Sequence, residues 1–310
     1  MLSNREIILV TGATGSQGGA VATALLNNGN TVRIVVRASS ADTDQVKKLK
    51  SLGALVAIAD MDNRQSLEKA LSGVHGVFSV QAMDDGTDSE RRHADALVAA
   101  ALNSGVEHVV HVSVNLVDRY EEFPGWGAGR WNESYWTSKR YAEEAVKNAG
   151  FKYWTILRPV FFMDNFIPPK ANVMYAGLDK GKITVVFNPD KKLQFIDVAD
   201  TGKFADAAFN APEKFNKQII DLAGDELTIS ELAGVIGKTM QTNIDIEYVT
   251  ESEAVKRGMI PGLANYQEWT NEVGYSVNRE ALKKWDISLT TFEEFAIKSK
   301  HLFPTQNSVT

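Results

Sequence analysis

A glycine-rich turn directly behind an apolar run is the feature that most limits how this chain can fold. The apolar run at residues 7–10 predicts a buried strand, residues 18–26 predict a helix, and glycines at positions 12, 15 and 18 join them. Where a strand turns straight into a helix, the first glycine permits the tight turn and the second lets the backbone approach a pyrophosphate, while the third lets helix and strand pack closely. The amides freed at the helix start then face an anion, helped by the positive end of the helix dipole.

This G-x-x-G-x-x-G spacing differs from the G-x-G-x-x-G of ordinary dehydrogenases, and a glycine-rich turn can also be no more than a turn. The preceding strand and the Thr-Gly-Ala-Thr-Gly context favour dinucleotide binding. The residues of this turn, the glycine loop, that we expect to contact the dinucleotide are Gly12, Thr14, Gly15, Ser16, Gln17 and Gly18.

Short apolar runs alternate with helical patterns through the first half, which is typical of βαβ units around a parallel sheet. The pattern predicts strands at residues 7–10, 31–37, 54–59, 76–80, 108–114 and 153–157, and helices at 18–26, 45–52, 66–71, 89–103 and 132–148. We therefore predict a Rossmann-type, doubly wound parallel α/β fold for residues 1–160. The rhythm breaks after Pro159, so we expect residues 161–310 to form a smaller C-terminal α/β part that packs on the first and covers its site.

In that second part, the pattern predicts strands at 182–188, 218–223 and 244–249 and a helix that begins near residue 198. Three Thr-x-x-Glu capping boxes, which begin at Thr228, Thr250 and Thr291, predict the starts of further helices.

Composition excludes several classes of function. The formal net charge is −6, so we expect no direct nucleic-acid partner. The chain has no cysteine, which excludes disulfides, thiol catalysis and zinc fingers, and its five histidines have no spacing typical of zinc ligands, so we expect no metal. No apolar stretch has the length of a membrane span or a signal core, and we expect a cytoplasmic protein without a membrane partner.

The residue that closes the second strand indicates which dinucleotide is bound. An acid at this position selects NAD, whereas an arginine accommodates a 2′-phosphate. Here the strand closes with Arg37, followed by Ser39, and the next acid comes only at Asp42, so we predict NADP(H). The alternative is that Arg37 is a solvated strand end. Asp60 and Met61, after the third strand, lie where such folds contact the adenine, although Asp60 can also be a simple turn residue.

Tyr135 and Lys139 lie four residues apart in a helical stretch and so share one face. The lysine charge would lower the pKa of the phenol and make it a proton donor to a carbonyl that receives a hydride. Ser113 ends the fifth strand, at the sheet edge where ligands bind in α/β folds, and could orient that carbonyl. The alternative is an ordinary surface pair, since such spacing is common.

Several segments together resemble the NmrA-like family, an atypical branch of the short-chain dehydrogenase/reductase superfamily. These are the Thr-Gly-Ala-Thr-Gly-Ser-Gln-Gly loop, Arg37, Ala-Asp-Met-Asp at 59–62, Leu157-Arg158-Pro159-x-x-Phe162-Met163-x-Asn165 and Phe195-Ile-Asp-Val-Ala-Asp200. The resemblance spans nearly the whole chain and implies an NADP-binding Rossmann fold. It also implies cofactor contacts by Gln81, after the fourth strand, and by Pro159 and Phe162 near the nicotinamide, with core packing as the alternative for Phe162.

The resemblance implies two kinds of function. The family contains reductases of quinones and other carbonyls, and redox-sensing regulators that bind the dinucleotide without turnover and act on a protein partner. Many members keep the lysine that matches Lys139 but lack the tyrosine, so Tyr135 is a departure toward the catalytic pattern of the superfamily. We therefore expect an NADPH-dependent oxidoreductase with Ser113, Tyr135 and Lys139 as its catalytic residues, and keep the sensor as the alternative.

Two further segments have simpler interpretations. The acids Asp84, Asp85, Asp88 and Glu90 are typical of a solvated loop. The glycine- and tryptophan-rich residues 125–136, which lead into the Tyr-Lys helix, are compatible with a flexible lid or a partner surface, and the sequence does not choose between them.

Overall fold

The computed structural model describes residues 6–83 and 86–303. Its strands are β1 (Ile7–Val10), β2 (Thr31–Val36), β3 (Leu55–Ile58), β4 (Val74–Ser79), β5 (His108–Val112), β6 (Tyr153–Pro159), β7 (Phe161–Phe162), β8 (Lys182–Val185), β9 (Lys192–Ile196), β10 (Gln218–Leu222), β11 (Asp225–Thr228) and β12 (Asp245–Tyr248). Its α-helices are α1 (Ser16–Asn27), α2 (Asp44–Ser51), α3 (Arg64–Leu71), α4 (Ser89–Asn103), α5 (Glu133–Asn148), α6 (Lys170–Met174), α7 (Val198–Asn210), α8 (Pro212–Phe215), α9 (Ile229–Met240), α10 (Glu251–Lys256), α11 (Pro261–Glu272), α12 (Arg279–Leu282) and α13 (Phe292–Lys298).

The chain divides into two units, each assembled from separate segments. Unit 1 comprises the described residues of Met1–Asp118, Ser134–Pro159 and Val198–Asp221, and unit 2 those of Arg119–Glu133, Val160–Asp197 and Leu222–Thr310. Unit 1 therefore includes α7 and most of β10, although both follow residue 160 in the sequence.

Unit 1 is built on a seven-stranded sheet in the order β10-β6-β5-β4-β1-β2-β3. The pairs from β3 across to β6 are all parallel. Strands β1 to β3 are added in one direction and β4 to β6 in the other, so the order reverses between β1 and β4. This is the predicted doubly wound Rossmann-type fold. In such sheets, ligands bind outside the carboxyl ends of the strands at the point of reversal.

The central strands of unit 1 are buried on both faces of the sheet. Every residue of β5 is buried, as are the last three residues of β1, because both faces of a parallel sheet are covered. The covering helix α7 packs very closely on α1. A Cβ added to Gly202 would lie 3.0 Å from the carbonyl oxygen of Ala20 and 3.2 Å from the Cβ of Ala24. The C-terminal part of the sequence thus supplies a helix whose close approach to α1 requires a small residue at position 202.

Unit 2 has two small sheets, β11-β9-β7 and β12-β8. Its core is rich in aromatic side chains, with Phe166 stacked on Tyr175 and in edge contact with Phe292. All three predicted capping boxes are present at the starts of α9, α10 and α13. Across the part of the chain that the structure describes, no helix has both the length and the apolar character needed to cross a bilayer.

Candidate functional site

The glycine loop joins β1 to α1, and two of its glycines are required by the backbone itself. Gly12 has φ +61°, and a Cβ there would lie 2.7 Å from Cγ1 of Val80. A Cβ on Gly18 would lie 2.4 Å from the carbonyl carbon and oxygen of Gly12 and 2.5 Å from the carbonyl oxygen of Thr11. The neighbours of Gly18 are backbone atoms that cannot move aside. Gly12 and Gly18 therefore fix the turn and the close approach of helix to strand.

Gly15 is different, because nothing in the fold requires a glycine there. It has an extended backbone with φ −95° and ψ 175°, and an added Cβ would make only ordinary contact, 3.4 Å from the oxygen of Gly12. Its exposed backbone faces outward at the N-terminus of α1. A glycine that the fold does not need, at a helix start, leaves room for another molecule to approach the backbone.

The N-terminus of α1 has the properties of an anion site. Gly15 is its N-cap and offers no side-chain acceptor, and the first turn contains no acidic residue to offset the helix dipole. Thr14 is exposed and Ser16 is partly buried. Oε1 of Gln17 is buried and lacks a hydrogen-bond partner among residues 6–83 and 86–303.

Thr11 links the loop to the neighbouring strand. Its Oγ1 accepts a hydrogen bond from the amide of Val80 at 2.9 Å and donates to the carbonyl oxygen of Val80 at 2.9 Å. The end of β1 and the end of β4 are thereby held together at the point where the sheet order reverses. Gln81, the next residue, is consequently placed beside the glycine loop at this edge.

The strand order places most of the predicted cofactor residues along one edge of unit 1. Each of them ends or follows a parallel strand, and the carboxyl ends of parallel strands share an edge. In spatial order from β3 to β6 they are Asp60 and Met61, Arg37 and Ser39, the glycine loop, Gln81, Ser113 and Pro159.

The far end of this edge, after β2 and β3, carries the residues predicted to distinguish the dinucleotides. Arg37 is exposed, and its guanidinium has no side-chain partner in the described part of the chain. Ser39 is exposed in the 3-10 turn that follows. The carboxylate of Asp60 accepts a hydrogen bond from the amide of Asp62 at 3.0 Å, so Asp60 does serve a turn, whereas Met61 is partly buried.

The other end of the edge, after β4 and β5, is polar and buried. Nε2 of Gln81 donates to Oγ of Ser79 at 2.9 Å, and this oxygen lies 3.1 Å from Nδ1 of His111. Burial, with a smaller effect of the nearby Lys139 charge, lowers the pKa of His111 to about 3, so its ring is neutral near pH 7. Oγ of Ser113 is buried and has no hydrogen-bond partner among the described residues. An unpartnered buried hydroxyl is unfavourable unless something else binds it.

Tyr135 and Lys139 lie on one face of α5, as predicted. Nζ of Lys139 is 5.8 Å from the centre of the Tyr135 ring, which is partly buried and packs edge-on against Trp136. The ammonium has a second, closer neighbour, which the sequence analysis had assigned to a solvated loop. Oε1 of Glu90, in the first turn of α4, lies 2.5 Å from Nζ of Lys139.

Glu90 corrects the interpretation of the acidic segment as solvated. Its side chain is 1% exposed, because α4 begins just before it and turns it inward. Asp88 is exposed as predicted, and Asp84 and Asp85 lie outside the described residues. We call Ser79, Gln81, Glu90, His111 and Lys139 the Lys139 cluster.

A buried ion pair fixes the helix that carries Tyr135 and Lys139. Both oxygens of Glu143, on α5, accept hydrogen bonds from Arg158 on β6, at 2.6 and 3.0 Å, and both side chains are buried. A third group, the carboxylate of Asp118, lies 2.8 Å from the same guanidinium. Arg158 belongs to the Leu-Arg-Pro segment that carried the family resemblance, and here it holds α5 to the sheet.

Phe162 and residues 119–133 belong to unit 2. Phe162 is partly buried in β7, which pairs with β9. The indole of Trp131 donates to the carbonyl oxygen of Pro124 at 2.7 Å, and Arg130 forms an ion pair with Glu272 on α11. These contacts attach the aromatic segment to unit 2.

Comparison with known proteins decides the family. The NmrA-like family matches residues 4–296. This chain belongs to the NmrA-like family. It is 28% identical over 282 residues to the NmrA-like family domain-containing oxidoreductase FrzB of Cladobotryum sp., covering 81% of this chain and 82% of the relative.

Solved structures share the fold of this NmrA-like protein. The triphenylmethane reductase of Citrobacter sp., complexed with NADP(H), superposes with a TM-score of 0.76 at 19% identity, covering 95% of this chain and 99% of the other. NmrA, a negative transcriptional regulator crystallised with NADP, superposes with a TM-score of 0.75 at 20% identity, covering 97% and 96%.

Sequence reasoning missed part of the Lys139 cluster in this NmrA-like protein. Ser79 and His111 lie in adjacent strands and face each other in register, but neither was singled out. Glu90 is 49 positions from Lys139, so no local spacing links them. The signal available was indirect: an acid in the first turn of a helix that has an alanine- and leucine-rich face.

Proposed function

We propose that this protein is an NADPH-dependent oxidoreductase that acts on a small carbonyl or quinone compound. The observation that carries the proposal is the arrangement along one sheet edge of unit 1. Among the described residues, an unpaired arginine follows β2, an uncompensated helix start follows β1, and a buried serine hydroxyl without a partner follows β5.

The residues at this edge fit a dinucleotide phosphate. The glycine loop offers exposed backbone at Gly15 and the positive end of α1 for a pyrophosphate. Arg37 is free to pair with a 2′-phosphate, with Ser39 beside it in sequence. Gln17 and Gln81 each have a buried amide oxygen without a partner in the described part of the chain, as expected where a bound molecule would complete the hydrogen bonding.

The chemical roles follow from the side chains near β5 and α5. Bound NADPH supplies a hydride to an electrophilic carbon. Ser113 would donate a hydrogen bond to the substrate oxygen, and Tyr135 would supply the proton as that oxygen gains charge. Lys139 would hold the ribose and provide positive charge near the phenol. The name of the oxidoreductase FrzB supports this class of activity, and the NADP(H) and NADP complexes of the two structural neighbours support the choice of dinucleotide.

A second candidate is a dinucleotide-binding regulator without turnover that acts on a protein partner. One observation favours it: the ammonium of Lys139 already has a carboxylate 2.5 Å away, which reduces the positive charge acting on Tyr135. The structural neighbour NmrA is described as a transcriptional regulator.

The two candidates are separated by a direct assay. Purified protein is mixed with NADPH and a panel of quinones and aldehydes, and the loss of NADPH absorbance is followed, with calorimetric binding measured on the same preparation. We expect oxidation of NADPH with at least one compound. NADPH binding without any turnover would instead support the regulator, and the absence of binding would contradict both.

A further inference from the structure

The Lys139 ammonium is held by a buried carboxylate. The side chains of Glu90 and Lys139 are 1% and 12% exposed, and the atoms that join them are 2.5 Å apart. Removing charges from water is unfavourable unless each has a close partner of opposite sign. In the part of the chain that the structure describes, Glu90 is the acid that pairs with Lys139. Each residue therefore depends on the other for its burial.

We propose that Glu90 is a positioning residue that acts through Lys139, holding its ammonium in place on the face of α5 that also carries Tyr135. The proposal rests on the proposed function for its catalytic meaning, because Lys139 is assigned there to the ribose and the phenol. The pairing itself has consequences that can be measured without turnover.

Among the described residues, the groups found around Lys139 include one carboxylate, that of Glu90. From β5, the residue whose pKa responds to the lysine charge is His111, which burial keeps neutral near pH 7. From its own helix, the neighbour is the ring of Tyr135, at 5.8 Å. From α4, the neighbour is Glu90. Glu90 thus supplies the negative charge that balances Lys139 in this group.

Glu90 also has hydrogen-bonding capacity left. Its Oε2 is buried and has no partner among the described residues. A carboxylate accepts several hydrogen bonds, whereas the amide of a glutamine at the same position would offer one acceptor and a donor facing the ammonium. Glu90→Gln therefore preserves volume and removes both the charge and part of the acceptor surface.

The first experiment measures whether Glu90 holds the Lys139 side chain in its buried pair. Full-length wild type and Glu90→Gln are labelled with a trace of acetic anhydride at one fixed pH, and acetylation of Lys139 is quantified by mass spectrometry. Without the carboxylate, the lysine side chain is no longer held at its 12% exposed position, so we expect acetylation of Lys139 to rise severalfold in Glu90→Gln. Unchanged acetylation would overturn the proposal.

A matched control lies on the same helix. Glu144 is on α5 and also pairs with a lysine, since its Oε1 is 2.9 Å from Nζ of Lys147, but this pair is more exposed. Glu144→Gln should leave the labelling of Lys139 unchanged. Glu90→Asp retains the charge and should restore at least part of the wild-type protection of Lys139 from acetylation. Acetylation of Lys139 in Glu90→Asp equal to that in Glu90→Gln would count against a role for the charge.

The second experiment tests dependence between the two residues through thermal stability. Lys139→Met leaves the Glu90 carboxylate buried and unpaired, so this variant should melt well below wild type. Adding Glu90→Gln should recover part of the melting temperature, because both charges are then gone. Additive losses in the double variant would show that the pair is not coupled and would overturn the proposal.

The third experiment asks whether the pairing matters for activity. With a substrate found in the panel, Glu90→Gln should lower kcat about tenfold with little change in KM, and Glu90→Asp, which keeps the charge, should recover part of kcat. An equal loss of kcat in Glu90→Gln and Glu90→Asp, or a loss shared between kcat and KM, would indicate a structural role and would contradict the proposal. If wild type shows no turnover, the proposed function fails, while the labelling and melting results still decide whether Glu90 positions Lys139.

Discussion

The glycine loop and the Lys139 cluster lie at the same edge of unit 1 and are built in opposite ways. The loop is made of consecutive residues, and its fit depends on backbone atoms, as in the 2.4 Å that would separate a Cβ on Gly18 from Gly12. The cluster joins side chains from β4, α4, β5 and α5, and its fit depends on buried polar and charged groups. Substitutions in the loop should therefore act through steric clashes, and substitutions in the cluster should act through lost electrostatic interactions.

The largest effect expected in this comparison comes from two valines placed three residues apart in the loop. Gly18→Val pushes Cβ into three backbone atoms, and we expect it to lower the free energy of unfolding by roughly 3 kcal/mol or more. Gly15→Val meets no such obstacle, so it should keep its far-UV circular dichroism and melting temperature but lose NADPH binding. Urea unfolding and calorimetry on both variants check this.

Either of two results would break this steric account. Normal NADPH binding by Gly15→Val would show that the loop is not the phosphate cradle. Equal stability of the two valine variants would show that the helix start relaxes around Gly18.

The next effect concerns chemistry beside the Lys139 cluster. If Tyr135 donates a proton, Tyr135→Phe should leave NADPH affinity almost unchanged and lower kcat by roughly 10²-fold. Steady-state kinetics and calorimetry measure the two quantities. Quinones that need no tyrosine proton would retain activity in this variant, which would contradict the acid role but leave the reductase assignment in place.

A smaller effect concerns pH, because the residues of the glycine loop carry no titratable side chain whereas the cluster includes a buried histidine. Burial lowers the pKa of His111 to about 3 and that of its strand neighbour His108 to about 4, from an ordinary value of 6.5. The unfolded chain therefore takes up protons below pH 6.5 that the folded protein does not. The stability that these rings contribute is complete above pH 6.5 and falls as the pH drops toward 4.

We expect each histidine to remove about 2 kcal/mol from the free energy of unfolding between pH 7 and pH 5. His111→Asn should flatten the profile by that amount, whereas His301→Gln, at an exposed position, should leave it unchanged. Urea unfolding at the two pH values measures the difference. Parallel profiles for wild type and His111→Asn would mean that folding does not lower the pKa of His111.

The smallest effect concerns the choice of dinucleotide. Arg37 is exposed, so Arg37→Ala should keep the fold and lose the preference for NADPH over NADH. We expect that preference to be at least tenfold in wild type, or about 1.4 kcal/mol, as measured by calorimetry. Equal affinities in wild type would remove the assigned role of Arg37.

The sequence by itself determined the elements and the backbone part of the site. Alternating apolar runs and helical patterns predicted β1 to β6 and α1 to α5 with shifts of a few residues. Burial on both sheet faces leaves short, mostly apolar runs in the strands, and burial of one face leaves a helical period in the helices, so both signals lie in consecutive residues. The glycine spacing predicted the loop in the same way, since the turn it requires is formed by neighbours along the chain. The three capping boxes are equally local and were all predicted.

Only the tertiary structure decided which distant residues meet. Glu90 was read as part of a solvated acidic segment, and the fold places it against Lys139, 49 positions away. The pairing of Arg158 with Glu143 and the placement of α7 in unit 1 against α1 depend equally on the order in which strands and helices pack. The physical reason is that a buried charge is stable only when a group of opposite charge lies close to it in space. The fold can supply that group from any position in the sequence.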